Sequence, residues 1–219
     1  MSRTFVKLCG LQTPEDAEKL NGVDADAAGM IFVPGRRRTV KGKQAAAIAA
    51  QLPRGIEKVG VFMDPAEEDL REATNRIPLD WVQLHGTESP RLCRWVKEEL
   101  GTAVIKVVHA GQAPLAPAEA YADHVDAVLV DSVLGKQKGG TGQVFSWDLL
   151  RTEQAHWRAL GLPVWVAGGL TADNVEGLLT EHAPDGVDTS SGVESEGVKD
   201  RSKMRRFVER VRKYDRQHR

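Results

Sequence analysis

Eight short apolar runs recur along the 219 residues, each followed by a stretch with helical signals. They are Phe5 to Cys9, Ala27 to Phe32, Lys58 to Met63, Trp81 to His85, Val104 to Val108, Ala127 to Asp131, Val164 to Ala167 and Gly186 to Thr189. Strict alternation of strand and helix implies parallel strands joined by right-handed crossovers. Eight such units can close on themselves, whereas a doubly wound sheet needs fewer strands and a nucleotide fingerprint. The first run leads to Cys9-Gly10 and not to G-x-G-x-x-G, which disfavours the dinucleotide fold. The length suits one barrel, and no linker or composition break divides it, so residues 1–219 read as a single (β/α)8 or TIM barrel.

The intervening stretches carry helix starts. Thr13-Pro14-Glu15-Asp16 places an N-cap before a proline at the first helical position, and Asp64-Pro65-Ala66-Glu67 repeats the device. Thr87-Glu88-Ser89-Pro90 offers two caps, and Thr171 to Asn174 opens a helix before Val175, Leu178 and Leu179. Met204, Phe207, Val208 and Val211 form one apolar stripe, and a solvated outer face explains the basic residues around them. Trp95, Trp147 and Trp157 are expected to seal helices to the barrel.

Charge excludes some partners. Thirty basic residues face 31 acidic ones, so no global field favours nucleic acid or a membrane surface. No apolar stretch approaches the roughly 20 residues of a membrane span. Cys9 and Cys93 cannot build a disulfide framework, and the first residues lack a secretory h-region. The expectation is a cytoplasmic protein, monomer or homodimer.

In a barrel of this kind chemistry sits where strands end. Burial accounts for Val128 to Val130 but not for the carboxylate of Asp131 that ends the run. Lys7 and Cys9 lie two apart and share a face, and if that face is the barrel interior the ammonium would favour the thiolate, although most lone cysteines pack as small hydrophobes. Gln83 and His85 share a face as well, and His85 can carry a proton, hold a ligand or be structural. His109 and His124 are isolated in sequence, so no metal site is expected. Arg36-Arg37-Arg38 forms a basic patch on the second strand-exit loop, suited to a carboxylate or phosphate. Gly168-Gly169 after the seventh run and Ser190-Ser191-Gly192 after the eighth suit a phosphate. Gly139-Gly140-Thr141-Gly142 reads as a lid closing over the mouth.

Taken in order, Lys7-Leu8-Cys9-Gly10, Phe32-Val33-Pro34 through Arg38, Val82 to Gly86, Asp131-Ser132, Ala167 to Leu170, Gly186 to Glu194 and Lys199-Asp200 resemble the phosphoribosylanthranilate isomerases over nearly the whole chain. The resemblance implies a cofactor-free and metal-free Amadori rearrangement of a small phosphorylated sugar–anthranilate substrate, with Cys9 as general base and Asp131 as general acid. It further implies that Arg38 meets the anthranilate, that Asp188 positions the substrate, and that the two late loops hold the phosphate. Gln83 and His85 join the substrate-binding set. Arg36-Arg37 depart from the Ser-Pro-like pair usual before the arginine, which leaves open which arginine faces the pocket. Within the site, Asp131 is expected to have a raised pKa and Cys9 to be partly thiolate. Two other readings compete: a histidine-pathway aldose–ketose isomerase, which should carry aspartate where Cys9 stands, and a non-catalytic barrel that binds a phosphorylated ligand.

Overall fold

The eight runs form eight parallel strands hydrogen-bonded in a closed ring, in chain order. They are β1 (Phe5–Cys9), β2 (Ala27–Ile31), β3 (Glu57–Phe62), β4 (Trp81–Leu84), β5 (Ala103–His109), β6 (Ala127–Asp131), β7 (Val164–Ala167) and β8 (Gly186–Thr189). The computed structural model describes residues 3–110, 112, 115–131 and 147–218, with the side chains of Trp147 and Asp148 left aside. The Gly139 to Gly142 lid and the Trp147 side chain therefore lie outside the described residues.

Alternation decides which residues enter the barrel. Cys9, Val59, Val61, Ile105, Val107, Leu129 and Trp165 form an inner cluster, while Val6, Leu8, Met30, Val82, Val104, Val128 and Val164 pack outward under the helices. Aromatic rings plug the end where the strands begin. Phe5 stacks on Trp165 with centroids 4.3 Å apart, and Trp81 leans on Trp165 at 5.3 Å. Gly186 makes room for this plug, since a Cβ there would lie 2.7 Å from the Trp165 ring. Apolar rings fill one end, and polar groups are left to gather at the other.

The helices are α1 (Pro14–Glu18), α2 (Gly42–Gln51), α3 (Glu67–Arg76), α4 (Pro90–Trp95), α5 (Trp147–Ala159), α6 (Val175–His182) and α7 (Arg201–Gln217). None among the described residues is long and apolar enough to cross a membrane. Thr13 and Ser89 cap α1 and α4 through their side-chain oxygens, as their positions before proline predict. Asp64 does not cap α3. Its φ is +47°, the helix starts after Ala66, and its carboxylate turns away to accept from Thr87 N and Oγ1 at 2.7 and 3.0 Å. Between β5 and β6 the described residues hold two 3-10 turns, Ala118–Ala120 and Ala122–His124, where a helix is expected from the alternation.

One device repeats at the opposite end from the strand exits. The aspartate before each even strand accepts a backbone N–H from the first or second residue of the preceding odd strand. Asp26 receives Val6 N at 2.7 Å, Asp80 receives Lys58 N at 2.7 Å, Asp126 receives Val104 N at 2.8 Å and Asp185 receives Val164 N at 2.9 Å. At a strand start the ladder leaves that N–H without a backbone acceptor, and an unpaired buried donor is costly. Each aspartate also meets a cation: Arg212, Lys58, Lys97 and Arg158 in turn. Asp126 provides a clean test, because its N–H partner Val104 is fully buried while the Lys97 pair is partly solvated. Asp126→Ala should cost about 1–3 kcal/mol of stability, and Lys97→Ala no more than about 1 kcal/mol. Urea unfolding of both variants checks this; equal losses would mean that the ion pair, not the strand clamp, is what matters.

Candidate active site

The open end of the barrel gathers three groups of side chains. On β1, Lys7 and Cys9 both face inward, and Gly29 on the neighbouring strand leaves space for the thiol, since a Cβ at that position would stand 2.7 Å from Sγ. Lys7 is fully buried, and its Nζ donates to Asp188 Oδ1 at 3.0 Å. The two residues are register partners on β1 and β8. Burial pushes the Lys7 ammonium down, but the charge of Asp188 and the hydrogen bond to it outweigh that, and its pKa is raised. Burial also dominates at Cys9 and pushes the thiol up, against the charges of Lys7 and Lys199. This corrects the expectation of a partial thiolate: at rest Cys9 is a thiol, because desolvation outweighs the neighbouring cations.

After β8 the chain turns through Ser191–Val193 into a two-stranded ribbon, β9 (Glu194–Ser195) and β10 (Val198–Lys199). Its two-residue turn, Glu196-Gly197, has φ of +51° and +83°, the combination a tight type I′ hairpin requires. The ribbon sets Glu194 and Lys199 opposite each other at 2.8 Å. Arg38 grips the same carboxylate as a fork, Nε to Oε1 at 2.6 Å and Nη2 to Oε2 at 2.8 Å, and Arg37 adds a contact at 2.6 Å. Burial pushes the Glu194 carboxyl up, but hydrogen bonds from Arg38, Lys199 and Arg37 prevail and hold it at about 2. Three cations share one carboxylate, so this flank keeps a surplus of positive charge.

The structure separates the three arginines. Arg36 is exposed, with Nη2 3.6 Å from Met63 Sδ. Arg37 is also exposed and reaches outward to Gly197 O at 2.8 Å. Arg38 alone of the three lies across Gly10, at the exit of β1. A Cβ on Gly10 would stand 2.6 Å from Arg38 Cδ and 2.8 Å from Ser190 Oγ, so the glycine is what admits the side chain.

The second group lies three steps round the ring from β1, by way of β8 and β7. Asp131 ends β6, half-buried, with Oδ2 3.4 Å from His85 Nε2. The other nitrogen of His85 meets the Gln83 amide at 3.0 Å. His109, isolated in sequence, joins them: it is the register partner of Asp131 on β5, and its ring is edge-on to His85 at 5.5 Å. The loop bearing His85 is tied down by Glu88, which accepts Gly86 N at 2.8 Å and the Nζ of buried Lys106 at 2.8 Å. Neither Glu88 nor Lys106 stands out in the sequence, since each reads as an ordinary charged residue until the fold buries both.

The third group is the pair of loops after β7 and β8. Gly168 and Gly169 take φ of +105° and +66°, which only glycine adopts easily. Thr189 Oγ1 donates to Leu170 O at 2.6 Å. At Gly192 a Cβ would fall 1.8 Å from Leu170 O, so the two loops touch backbone to backbone. Lys199 Nζ donates to Ser190 O at 2.9 Å, joining this cradle to the cationic flank. A cavity of about 370 Å³ beside the mouth is lined by Phe32, Pro34, Phe62, Met63 and Arg76, with neither Cys9 nor Asp131 in its wall.

Comparison with known proteins agrees with this arrangement. Residues 6–210 match the profile of the family described as N-(5'phosphoribosyl)anthranilate (PRA) isomerase. The chain is 42% identical over 214 residues to the N-(5'-phosphoribosyl)anthranilate isomerase of Synechococcus sp. (strain JA-3-3Ab), covering 96% of this chain and 92% of the relative. It is 37% identical over 214 residues to the enzyme of that name from Brevibacillus brevis, covering 97% and 95%. Its structure is similar to that of phosphoribosyl anthranilate isomerase from Thermotoga maritima, with TM-score 0.82, 31% identity, and 96% and 99% of the two chains covered. A further similar structure, with TM-score 0.79 and 30% identity over 96% and 99% of the chains, is a phosphoribosyl anthranilate isomerase in complex with reduced 1-(o-carboxyphenylamino)-1-deoxyribulose 5-phosphate. The chain belongs to the N-(5'-phosphoribosyl)anthranilate isomerase family.

Proposed function

We propose that the chain converts N-(5'-phosphoribosyl)anthranilate to 1-(2-carboxyphenylamino)-1-deoxyribulose 5-phosphate in tryptophan biosynthesis, by an acid/base Amadori rearrangement. Its family supports the reaction, and the site supports the assignment of roles. The observation that carries it is one barrel mouth holding a buried thiol among cations and, round the ring, a carboxylate set against a histidine. Cys9 in place of an aspartate at the end of β1 separates this reading from the histidine-pathway isomerase. A barrel that only bound ligand would have no use for both groups.

Ring opening needs an acid at the ribose ring oxygen. Asp131 delivers that proton, the C–O bond breaks, and the nitrogen lone pair forms an imine. Cys9 then removes the proton from the adjacent sugar carbon, and the electrons of that C–H bond move to give an enolamine, which tautomerises to the ketone. Lys7 and Lys199 steady the thiolate while it exists, so the resting thiol is an ionisation away from its active form. The cradle of Gly168, Gly169, Ser190, Ser191 and Gly192 takes the phosphate, and Arg38, aimed by Glu194, takes the anthranilate carboxylate. Asp188 holds Lys7 beside the thiol. Gln83 and His85 border the substrate on the Asp131 side.

Three measurements test these roles. Asp131→Asn and Cys9→Ser should each lower kcat by about 100-fold or more, followed by loss of the substrate's fluorescence; near-wild-type turnover in either removes its residue from the mechanism. Because the base must lose a proton that burial holds tightly, kcat/KM should climb with pH between about 7 and 9. A flat profile there would exclude a high-pKa thiol as the base. Arg38→Lys keeps the charge and loses the fork, so KM should rise about tenfold with a smaller change in kcat; an unchanged KM would release Arg38 from carboxylate binding.

A further inference from the structure

His85, His109 and Asp131 bring one ligand atom each to within 4.8 Å of one another at the barrel mouth. Three adjacent strands place them there: His85 follows β4, His109 ends β5 and Asp131 ends β6. We propose that these three side chains form a binding site for a zinc-type divalent metal ion, and that occupation of this site switches the isomerase off. The inhibitory part rests on the role proposed above for Asp131; the binding part does not.

The donor set fits such an ion. Two imidazoles and one carboxylate with an open fourth position are a common arrangement for zinc. Zinc bonds to nitrogen and oxygen of about 2.0–2.2 Å put two tetrahedral ligands about 3.4 Å apart. His85 Nε2 and Asp131 Oδ2 are already 3.4 Å apart, so that pair needs little movement. His109, half-buried on the same rim, has only to draw in by a fraction of its present separation.

A second observation concerns the partner behind His85. A histidine that binds metal through one nitrogen is held by a hydrogen bond at the other. Gln83 stands at His85 Nδ1, 3.0 Å away, and its own Oε1 is buried without a partner. Turning the Gln83 amide over brings that oxygen onto Nδ1, which then donates to it as N–H. The lone pair on Nε2 is left pointing at Asp131, toward the metal position. The ion binds with both imidazoles neutral and the carboxylate ionised. A carboxylate engaged in coordination has no proton to give, so the ring-opening step stops while the metal is present.

Cobalt(II) titration of the purified chain, followed by visible absorption, reads the site without any assay of turnover. One ion per chain with the strong d–d bands of a tetrahedral centre is expected, displaced by zinc. His109→Asn, outside the catalytic machinery assigned above, should weaken binding at least about tenfold while leaving metal-free turnover as in the wild type. Zinc should then inhibit the wild type, with recovery on adding EDTA, and inhibit His109→Asn only at correspondingly higher concentration. Absence of cobalt binding, equal affinity in the two proteins, or a thiolate-to-cobalt charge-transfer band placing the ion on Cys9 would each overturn the proposal. Binding without inhibition would overturn the switch, and a chain inactive even without metal would count against the function of the preceding subsection while the cobalt result still judged the site.

Discussion

Closure of the ring between β1 and β8 places one buried ion pair, Lys7 with Asp188, at the seam. Taking two charges out of water is costly, and their attraction repays it only where geometry is good. Here the partners are set opposite each other by strand register, so the backbone ladder supplies the geometry. The chemistry beside them depends on that arrangement. With Lys7 held by Asp188, a positive charge is fixed two residues from Cys9 on the same face, and the thiol is buried next to a cation that can stabilise its conjugate base.

The mouth is divided electrostatically. Around Glu194 three cations surround one carboxylate, which suits a substrate carrying both phosphate and carboxylate. Around Asp131 stand two imidazoles and an amide, without the concentrated fixed charge of the other flank. Separate environments let one pocket keep an acid and a base apart in protonation state. The aromatic plug of Phe5, Trp81 and Trp165 fills the other end, while Cys9, Asp131 and the polar groups around them gather at the exits of the strands.

Much of this was legible in the chain. All eight strands fall within a few residues of their apolar runs, because a short apolar run bounded by turn residues is a local pattern. Thr13 and Ser89 were readable as caps for the same reason. Asp64 looked identical to them, yet its carboxylate found Thr87 on the next loop, a partner 23 residues away that no local signal announces. His109 is solitary along the chain, whereas register between β5 and β6 supplies its neighbour. Glu88 and Lys106 carry no such signal, since a charged residue shows its importance only when burial forces it to find partners.

The sequence by itself determined the (β/α)8 plan and the positions of Cys9 and Asp131 at strand ends, which follow from short apolar runs alternating with capped helical stretches. Only the tertiary structure decided that Cys9 rests as a thiol, that Arg38 and not its neighbours lies at the exit of β1, and that His85, His109 and Asp131 meet. Those outcomes depend on desolvation and on distances between strands far apart in the chain. Both are properties of the closed barrel and not of any segment within it.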